Sequence, residues 1–568
     1  MNQEKSNSRK CPICGRPTHK TSKYCIFHAL AEEKTYEDFK QALKDYIEGI
    51  KKKNKAYNFK YFIFVGDINF RKDFNITVIK EANFSMATFG GKVIFSKITF
   101  KEDASFESVK FKGSNISFYG ATFNGSVNFN LATFNGKTDF ACTTFNWETI
   151  FSMITIEKEV DFLDAIFNEE AYFFLSTFKD EADFSQTTFK KEIDFSNAIF
   201  QKNVNFYHAT FNGKANFSRI NFEGGVFFSE VTFEREANYI ETYFKGVADF
   251  CDAIFKKIAN FNSAEFFSSN HLKGAIFKED LIFCNSLLPI KNDLFLKVKG
   301  NGLISFNHTC LDNIFLELEL DKQVQIDFSD SILRNTKIRK KQIENHIYQE
   351  TYEHFSWAKE VYLLLKNNFH TIGRYDDESW AFIKERDMER LDKSFYGFIV
   401  RCKKIRLFKK IISSANSNLL KRVIVQFRLM KRWIFSKKMP RWLILSLSNF
   451  IYQYGENFWR VVRFALIVIF LFAGLLDNSG MIKSNNDLLV LQNIQKMQED
   501  GLLVYSGPIV GNFLNCLYFS VVTFTTLGYG DFQPLEGWSR FWVSSEALIG
   551  AFTMALFVYT FARRTGGR

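Results

Sequence analysis

Between residues 84 and 266 phenylalanine returns at steps that alternate five and six residues. It stands at Phe84, Phe89, Phe95, Phe100, Phe106 and Phe111, resumes at Phe118, Phe123, Phe129, Phe134, Phe140 and Phe145, and continues past Phe250 to Phe266. One seven-residue step precedes Phe118, and Ile156 and Tyr239 fill slots where Phe is missing. A small or β-branched residue lies two places before most slots, as at Ala82, Ala87, Val93, Ala121, Ala132 and Ala215. A period of eleven is compatible with a right-handed coiled coil, but Asn, Gly and Thr dominate the intervening positions. Pieces such as Phe123-Asn-Gly-Ser126 and Phe134-Asn-Gly-Lys137 are turn chemistry, not helix interior. The pattern therefore predicts a β-solenoid in which each Phe stacks on the Phe of the next coil.

Ala82-Asn-Phe-Ser-Met86 and Ala182-Asp-Phe-Ser-Gln186 resemble the unit of the pentapeptide-repeat family: small, polar, large apolar, then two more residues. That resemblance implies a right-handed, four-sided β-helix. The chain departs from it in using Phe where Leu is more usual and in carrying one extra residue per pair of units. About 34 slots at four per coil give some eight or nine coils, roughly 40 Å at strand-to-strand spacing. Weaker copies at Ala275-Ile-Phe277, Phe306 and Asp327-Phe328 extend the expected solenoid over 61–335.

At 568 residues the chain exceeds one compact domain, and its net charge of +12 is local. Residues 81–280 hold 19 Lys/Arg against 27 Asp/Glu, whereas 401–441 hold 14 Lys/Arg, among them Arg401, Lys403, Arg406, Lys431 and Arg441, and no acid. A basic block beside an apolar segment reads as attraction to anionic headgroups and not as a nucleic-acid footprint, so no nucleic acid is expected. The expected order is a zinc knuckle (1–30), an amphipathic helix (31–60, helical over about Ala29–Tyr57), the solenoid, a basic helical linker (336–441) and an interfacial helix (442–457). Residues 458–568 follow as a pore domain, with two stretches apolar enough to span a bilayer, 458–476 and 538–562. Arg460 and Arg463 begin the first and Arg563-Arg564 end the second, which predicts cytoplasmic N- and C-termini at the plasma membrane. The start of the chain, Met1 to Lys10, is polar and has no secretory signal, and the nine cysteines fit reduced cytosolic thiols.

Between the spans lies Asn512-Phe-Leu-Asn-Cys-Leu-Tyr-Phe-Ser-Val-Val-Thr-Phe-Thr-Thr526-Leu-Gly-Tyr-Gly-Asp531. Its first part (512–525) is predicted to be a pore helix. Its second, Thr526, Leu527, Gly528, Tyr529 and Gly530, breaks that helix with alternating glycines, which can turn successive carbonyls toward one axis. A potassium ion needs oxygen ligands that replace its water shell, and four such strands can supply them. Irregular backbone is tolerated at membrane depth where it lines an aqueous path. The stretch closely resembles the potassium-channel signature, with Thr525 before it and Asp531 after it, and the order of span, loop and span resembles the two-span class. That resemblance implies a homotetramer conducting K⁺, a hinge at Gly550, cavity-facing Ala551, Met554 and Val558, and an inner gate near Val558, Phe561 and Ala562. Leu527 stands where Val or Ile is commoner, and Val522 where some members carry a buried glutamate.

Cys11, Cys14, Cys25 and His28 have the spacing of a small tetrahedral Zn²⁺ site. Glu546, inside the second span, is either functional or a neutral packing group. Asp376-Asp377-Glu378 sit at an expected helix start, where acids are favourable in any case, and His346, His354 and His370 read as surface or packing residues. Taken together, the expectation is a non-enzymatic, potassium-selective channel regulated through its cytosolic solenoid, to which a ligand or protein partner binds. The rival readings are a soluble acidic-rod scaffold, which would have no use for the spans, and a non-selective cation channel, whose loop would lack Tyr529 or Gly530.

Overall fold

The computed structural model describes residues 9–268, 270–289, 293–404, 419–479, 482–484, 507–534 and 537–565. Arg406 with the rest of 405–418, and 485–506 of the segment between the spans, lie outside the described residues. The chain divides into two compact units after Tyr352.

In the first unit, four parallel sheets of 13, 10, 10 and 12 strands form the sides of a β-solenoid. Most strands are two residues long, the first residue of each pair or the second pointing inward in turn. Successive coils are displaced by 22 residues, so that Lys137 of one coil meets Glu159 of the next. The odd residue in each eleven is accounted for by unequal corners. Four residues join Ala82–Asn83 to Thr88–Phe89, but three join Thr88–Phe89 to Val93–Ile94. The longer corner carries a left-handed residue, and it recurs every eleven positions: Met86, Lys97 and Ser108, then Leu131, Cys142, Met153 and Asp164. A non-glycine residue in that region costs about 1–2 kcal/mol, which the coil-to-coil hydrogen bonds of the same corner offset, as in Met86 N to the Glu107 carbonyl at 2.8 Å.

The rings stack as expected. One column runs from Phe59 through Phe84, Phe106 and Phe129 to Phe328, with centroids 4.7 to 5.7 Å apart. Tyr239 occupies a slot in this column, wholly buried, between Phe217 and Phe261. Its hydroxyl has no hydrogen-bond partner among the described residues. Tyr239→Phe is therefore expected to stabilise the solenoid by about 1–3 kcal/mol, the usual penalty of an orphaned buried hydroxyl. An unchanged or lower unfolding midpoint of the purified protein would contradict that assignment.

The solenoid is longer than the eight or nine coils that the Phe count implied, because a helix separates Phe59, Phe64 and Phe70 of the first coil from the later period and the far end uses other residues. It opens at Tyr57–Asn58 (paired with Ala82–Asn83), not at 61, and its first coil is lengthened by a short helix, Phe70–Phe74. At the far end Leu, Ile and Val take over in the six-residue strands Asp293–Val298 and Phe315–Leu320, and bridges reach Lys337 and Ile347. His346, whose Nδ1 lies 2.7 Å from the Val324 carbonyl, belongs to this closing turn.

The helix expected over Ala29–Tyr57 is confined to Tyr36–Lys53. Thr35 caps its start by accepting from Asp38 N, and Asn54, in the left-handed region, ends it. Phe39, Leu43, Ile47 and Ile50 form its buried stripe. Phe39 meets Phe64 at 5.7 Å and Tyr46 meets Phe59 at 5.9 Å, so the helix covers the first coil. An uncovered edge there would present unpaired strands to other chains.

The second unit begins with a helical hairpin, Phe355–Thr371 and Tyr375–Lys393, closed at Gly373. Asp376, Asp377 and Glu378 fill the first turn of the second helix, and Arg374 and His370 pair with the last two at 3.4 and 3.2 Å. His354 stands at the start of the first helix, where its backbone carbonyl accepts from Ala358 N at 2.8 Å. Among the described residues three further helices follow, Phe395–Lys404, Leu419–Ile434 and Lys438–Tyr452. The last contains most of the expected interfacial segment and exposes Leu443, Ile444, Leu447 and Phe450. It is held to the hairpin by Arg441, 2.7 Å from Glu389, and by Asn449 on Asp387. Gln453, Tyr454 and Gly455 then adopt three consecutive left-handed conformations, which turn the chain sharply into the first span.

Candidate functional site

Among the described residues, two helices are long and apolar enough to cross a membrane: Phe458–Asp477 within Phe458–Ser479, and Trp538–Arg564 within Trp538–Thr565. Between them runs the helix Gly507–Phe524. Val468, Ile469, Ala473 and Leu476 of the first span pack on Cys516, Phe519 and Phe524 of this middle helix. A short antiparallel pair, Ile482–Ser484 with Phe532–Pro534, closes the loop.

The middle helix ends in a tight C-cap. Leu527 N donates to the Val522 carbonyl and Thr526 N to the Thr523 carbonyl, both at 3.0 Å, with Thr526 left-handed at φ 57°. This is the paired bonding of a Schellman motif. Gly528 (φ 58°) and Gly530 (φ 77°) repeat the left-handed conformation at alternate residues. Sequence reasoning gave this role to the two glycines alone; Thr526 is a third, and its signal was only the helix end itself. Leu527 and Tyr529 are 60% and 67% exposed, and an added Cβ at Gly528 or Gly530 meets nothing within 4 Å. In the single chain residues 526–530 are thus exposed. Thr525 bonds back to the helix through its hydroxyl, 2.7 Å from the Val521 carbonyl, and Asp531 accepts from Phe532 N at 3.2 Å. Val522 is buried.

The second span is unbroken through Gly550. A Cβ there would lie 2.0 Å from the Phe524 carbonyl oxygen, so glycine is required by the close approach of this helix to the end of the middle one. Ser539, Glu546, Thr553 and Thr560, spaced by seven, form the buried polar face of the span. Ala551, Met554 and Val558 stand on exposed positions, as does Ala562. Phe561 is partly exposed (46%) and meets Phe458 of the first span edge-on at 5.9 Å. The end of the second span is also tied to the elbow before the first. Arg563 pairs at 2.7 Å with Glu456, whose side chain is 5% exposed, and its guanidinium lies 4.9 Å over the ring of Phe382 in the hairpin. Lys366, His370, Glu378 and Ser379 complete a cavity of about 290 Å³ around this contact. Sequence reasoning missed the arrangement, since nothing in the spacing of Phe382, Glu456 and Arg563 relates them.

In the first unit Cys11, Cys14, Cys25 and His28 converge, their ligand atoms all within 4.8 Å of one another. Cys14 and Cys25 sulfurs are 3.5 Å apart, and His28 Nδ1 lies 3.5 Å from Cys11 and 3.1 Å from Cys25. A tetrahedron with metal–sulfur bonds near 2.3 Å has edges of about 3.7 Å, so the donor set fits a tetrahedral thiophilic ion. His28 Nε2 faces the Lys60 carbonyl at 3.3 Å, which fixes Nδ1 as the free ligand atom and attaches the cluster to the first coil. Burial pushes the Cys25 thiol up to about 12, a penalty that metal binding would remove. Lys34, also missed, reinforces the junction by donating to the Ile26 and Ile63 carbonyls at 2.7 and 2.6 Å.

Comparison with known families matches residues 499–566 to the profile described as an ion channel, and 84–133, 162–210 and 206–254 to pentapeptide repeats in nine copies. Neither the curated proteins nor the solved structures contain a match. The chain is a membrane protein that joins N-terminal pentapeptide repeats to a C-terminal two-helix ion-channel domain.

Proposed function

We propose that the protein is a homotetrameric, potassium-selective channel that conducts K⁺ passively across the plasma membrane, with both termini cytoplasmic. The observation that carries this reading is the strand Thr526-Leu-Gly-Tyr-Gly530, directly after a helix end and with left-handed backbone at every second residue. Left-handed residues alternating with Leu527 and Tyr529 suit a strand whose carbonyls serve an ion, and fourfold repetition would surround a dehydrated K⁺ with oxygens. Neighbouring subunits would also cover the exposed Leu527 and Tyr529. The negative end of the middle helix, aimed at the path, favours a cation. Gly550 serves this strand by letting the second span approach Phe524, and Val558, Phe561 and Ala562 would form the inner constriction.

The four N-terminal ligands would hold a structural Zn²⁺ in this reading. Regulation would run from the repeat domain, through the helices of 353–455, to the Glu456–Arg563 contact at the end of the second span. The test is to delete residues 60–335 and record from protein reconstituted in lipid. Open probability is expected to change while the preference for K⁺ over Na⁺ is retained. A loss of ion preference in the deletion variant would contradict this division of roles.

A further inference from the structure

Glu546 of the second span is fully buried, and one hydroxyl connects it to the two other helices of the channel domain. Ser520 Oγ, on the middle helix, lies 2.9 Å from the Ile469 carbonyl of the first span and is hydrogen-bonded to Glu546 Oε1. A hydroxyl carries one proton and two lone pairs. The Ile469 carbonyl can only accept, so the Ser520 proton is used there. The remaining contact needs a proton from the other side, which an ionised carboxylate does not have. An ionised Glu546 would place either two acceptors against each other at the Ser520–Ile469 contact, or two at the Ser520–Glu546 contact. The other carboxyl oxygen, Oε2, points the same way: it is buried without a hydrogen-bond partner among the described residues, a position tolerable for a neutral carbonyl oxygen and costly for a charged one.

We infer that Glu546 is a proton-binding site, a neutral acid that donates to Ser520 while Ser520 donates to Ile469, so that one bound proton fastens the first span, the middle helix and the second span together. No charged side chain pairs with Glu546 among the described residues. The titratable and charged groups on the packed elements are Cys516 and Tyr518 of the middle helix, Arg460, Arg463 and Asp477 of the first span, and Arg540, Tyr559, Arg563 and Arg564 of the second. One turn past Glu546, Gly550 lies against the Phe524 carbonyl, so a separation of the helices at Glu546 reaches the residue that precedes Thr525 and Thr526. Loss of the proton therefore disturbs the strand that lines the ion path.

The inference rests on the ion-channel assignment and not on potassium selectivity. Its test uses the full-length protein in lipid vesicles, titrated from acid to alkaline pH, with two readouts: the infrared carbonyl band of a protonated carboxyl, taken as the difference between wild type and Glu546→Gln, and cation flux. Glutamine keeps a neutral donor for Ser520. The wild type is expected to show a band that vanishes as pH rises, with flux falling at least about tenfold over the same interval, the scale of one lost buried hydrogen bond. Flux through Glu546→Gln is expected to change less than about twofold. Absence of the band at every pH, band loss without a change in flux, or the same flux profile in both proteins would each overturn the inference. Should the glutamine variant fail to assemble, the band is taken as the difference between the wild type at acid and at alkaline pH, and its coincidence with the change in flux decides. The infrared readout reports the proton even in vesicles that pass no ions, so failure of the conducting reading is separable from failure of this one.

Discussion

Gly550→Ala is expected to reduce K⁺ flux through the reconstituted protein by about tenfold or more, an overpacking effect of roughly 1–3 kcal/mol concentrated on one backbone contact. The added methyl would lie 2.0 Å from the Phe524 carbonyl oxygen and 2.8 Å from its carbon. Both are backbone atoms, so no side chain can rotate away. Phe524 is the last residue of the middle helix and is itself buried, and the residues it would displace are the C-cap that sets Thr526. Gly474→Ala in the first span is the matched control, because a Cβ there meets nothing within 4 Å and alanine favours helix by about 1 kcal/mol. Flux and oligomer stability should be unchanged or improved in the control and reduced in Gly550→Ala. Equal behaviour of the two variants would mean that the second span does not sit against the end of the middle helix.

Loss of the metal proposed for Cys11, Cys14, Cys25 and His28, by chelation or by Cys25→Ser, is expected to release the N-terminal cap from the solenoid. Structural zinc in small domains contributes on the order of 10 kcal/mol to folding, more than the apolar contacts of an 18-residue helix can replace. Hydrogen exchange should accelerate across Tyr36–Lys53 and through the first coil at Tyr57–Phe64, which depends on Phe27, Phe39 and Tyr46 for cover. Exchange in the central coils, where each ring is stacked on both sides, should be unaffected, as expected for an architecture stabilised by nearest neighbours. Strand edges exposed in this way should also make the chelated protein associate. Exchange that is insensitive to chelation would show that the four ligands hold no structural ion.

The solenoid was legible because its core repeats one residue type at one spacing. Phe84 to Phe266 announced the stacked columns, whereas the extra residue per eleven was read only as a departure from the family and its place in a longer corner came from the structure. The ends were misjudged for the same reason. At one end Phe59, Phe64 and Phe70 keep the five-and-six spacing, but the helix Phe70–Phe74 throws them out of phase with Phe84, and at the other Leu294, Leu296, Leu316 and Leu318 complete coils without Phe. The helix that begins at Tyr36 was drawn too long because its charged face continues smoothly past Lys53, whereas the left-handed Asn54 that stops it leaves only a weak trace in composition. In the channel domain the motif pointed to the strand proposed to line the ion path but not to its supports. Ser520 bridging three helices, Glu546 behind it, and Glu456 meeting Arg563 are contacts between segments far apart in the chain, which no local spacing encodes. Gly550 entered as the hinge that the resemblance implies, and the structure adds a steric reason for glycine there.

The central claim is that the strand from Thr526 to Gly530 selects potassium. The most direct measurement is the reversal potential of the full-length protein in a planar bilayer with K⁺ on one side and Na⁺ on the other. A selective strand predicts a reversal potential close to the K⁺ equilibrium value that inverts when the two solutions are exchanged. A reversal potential near zero in both arrangements would contradict the account.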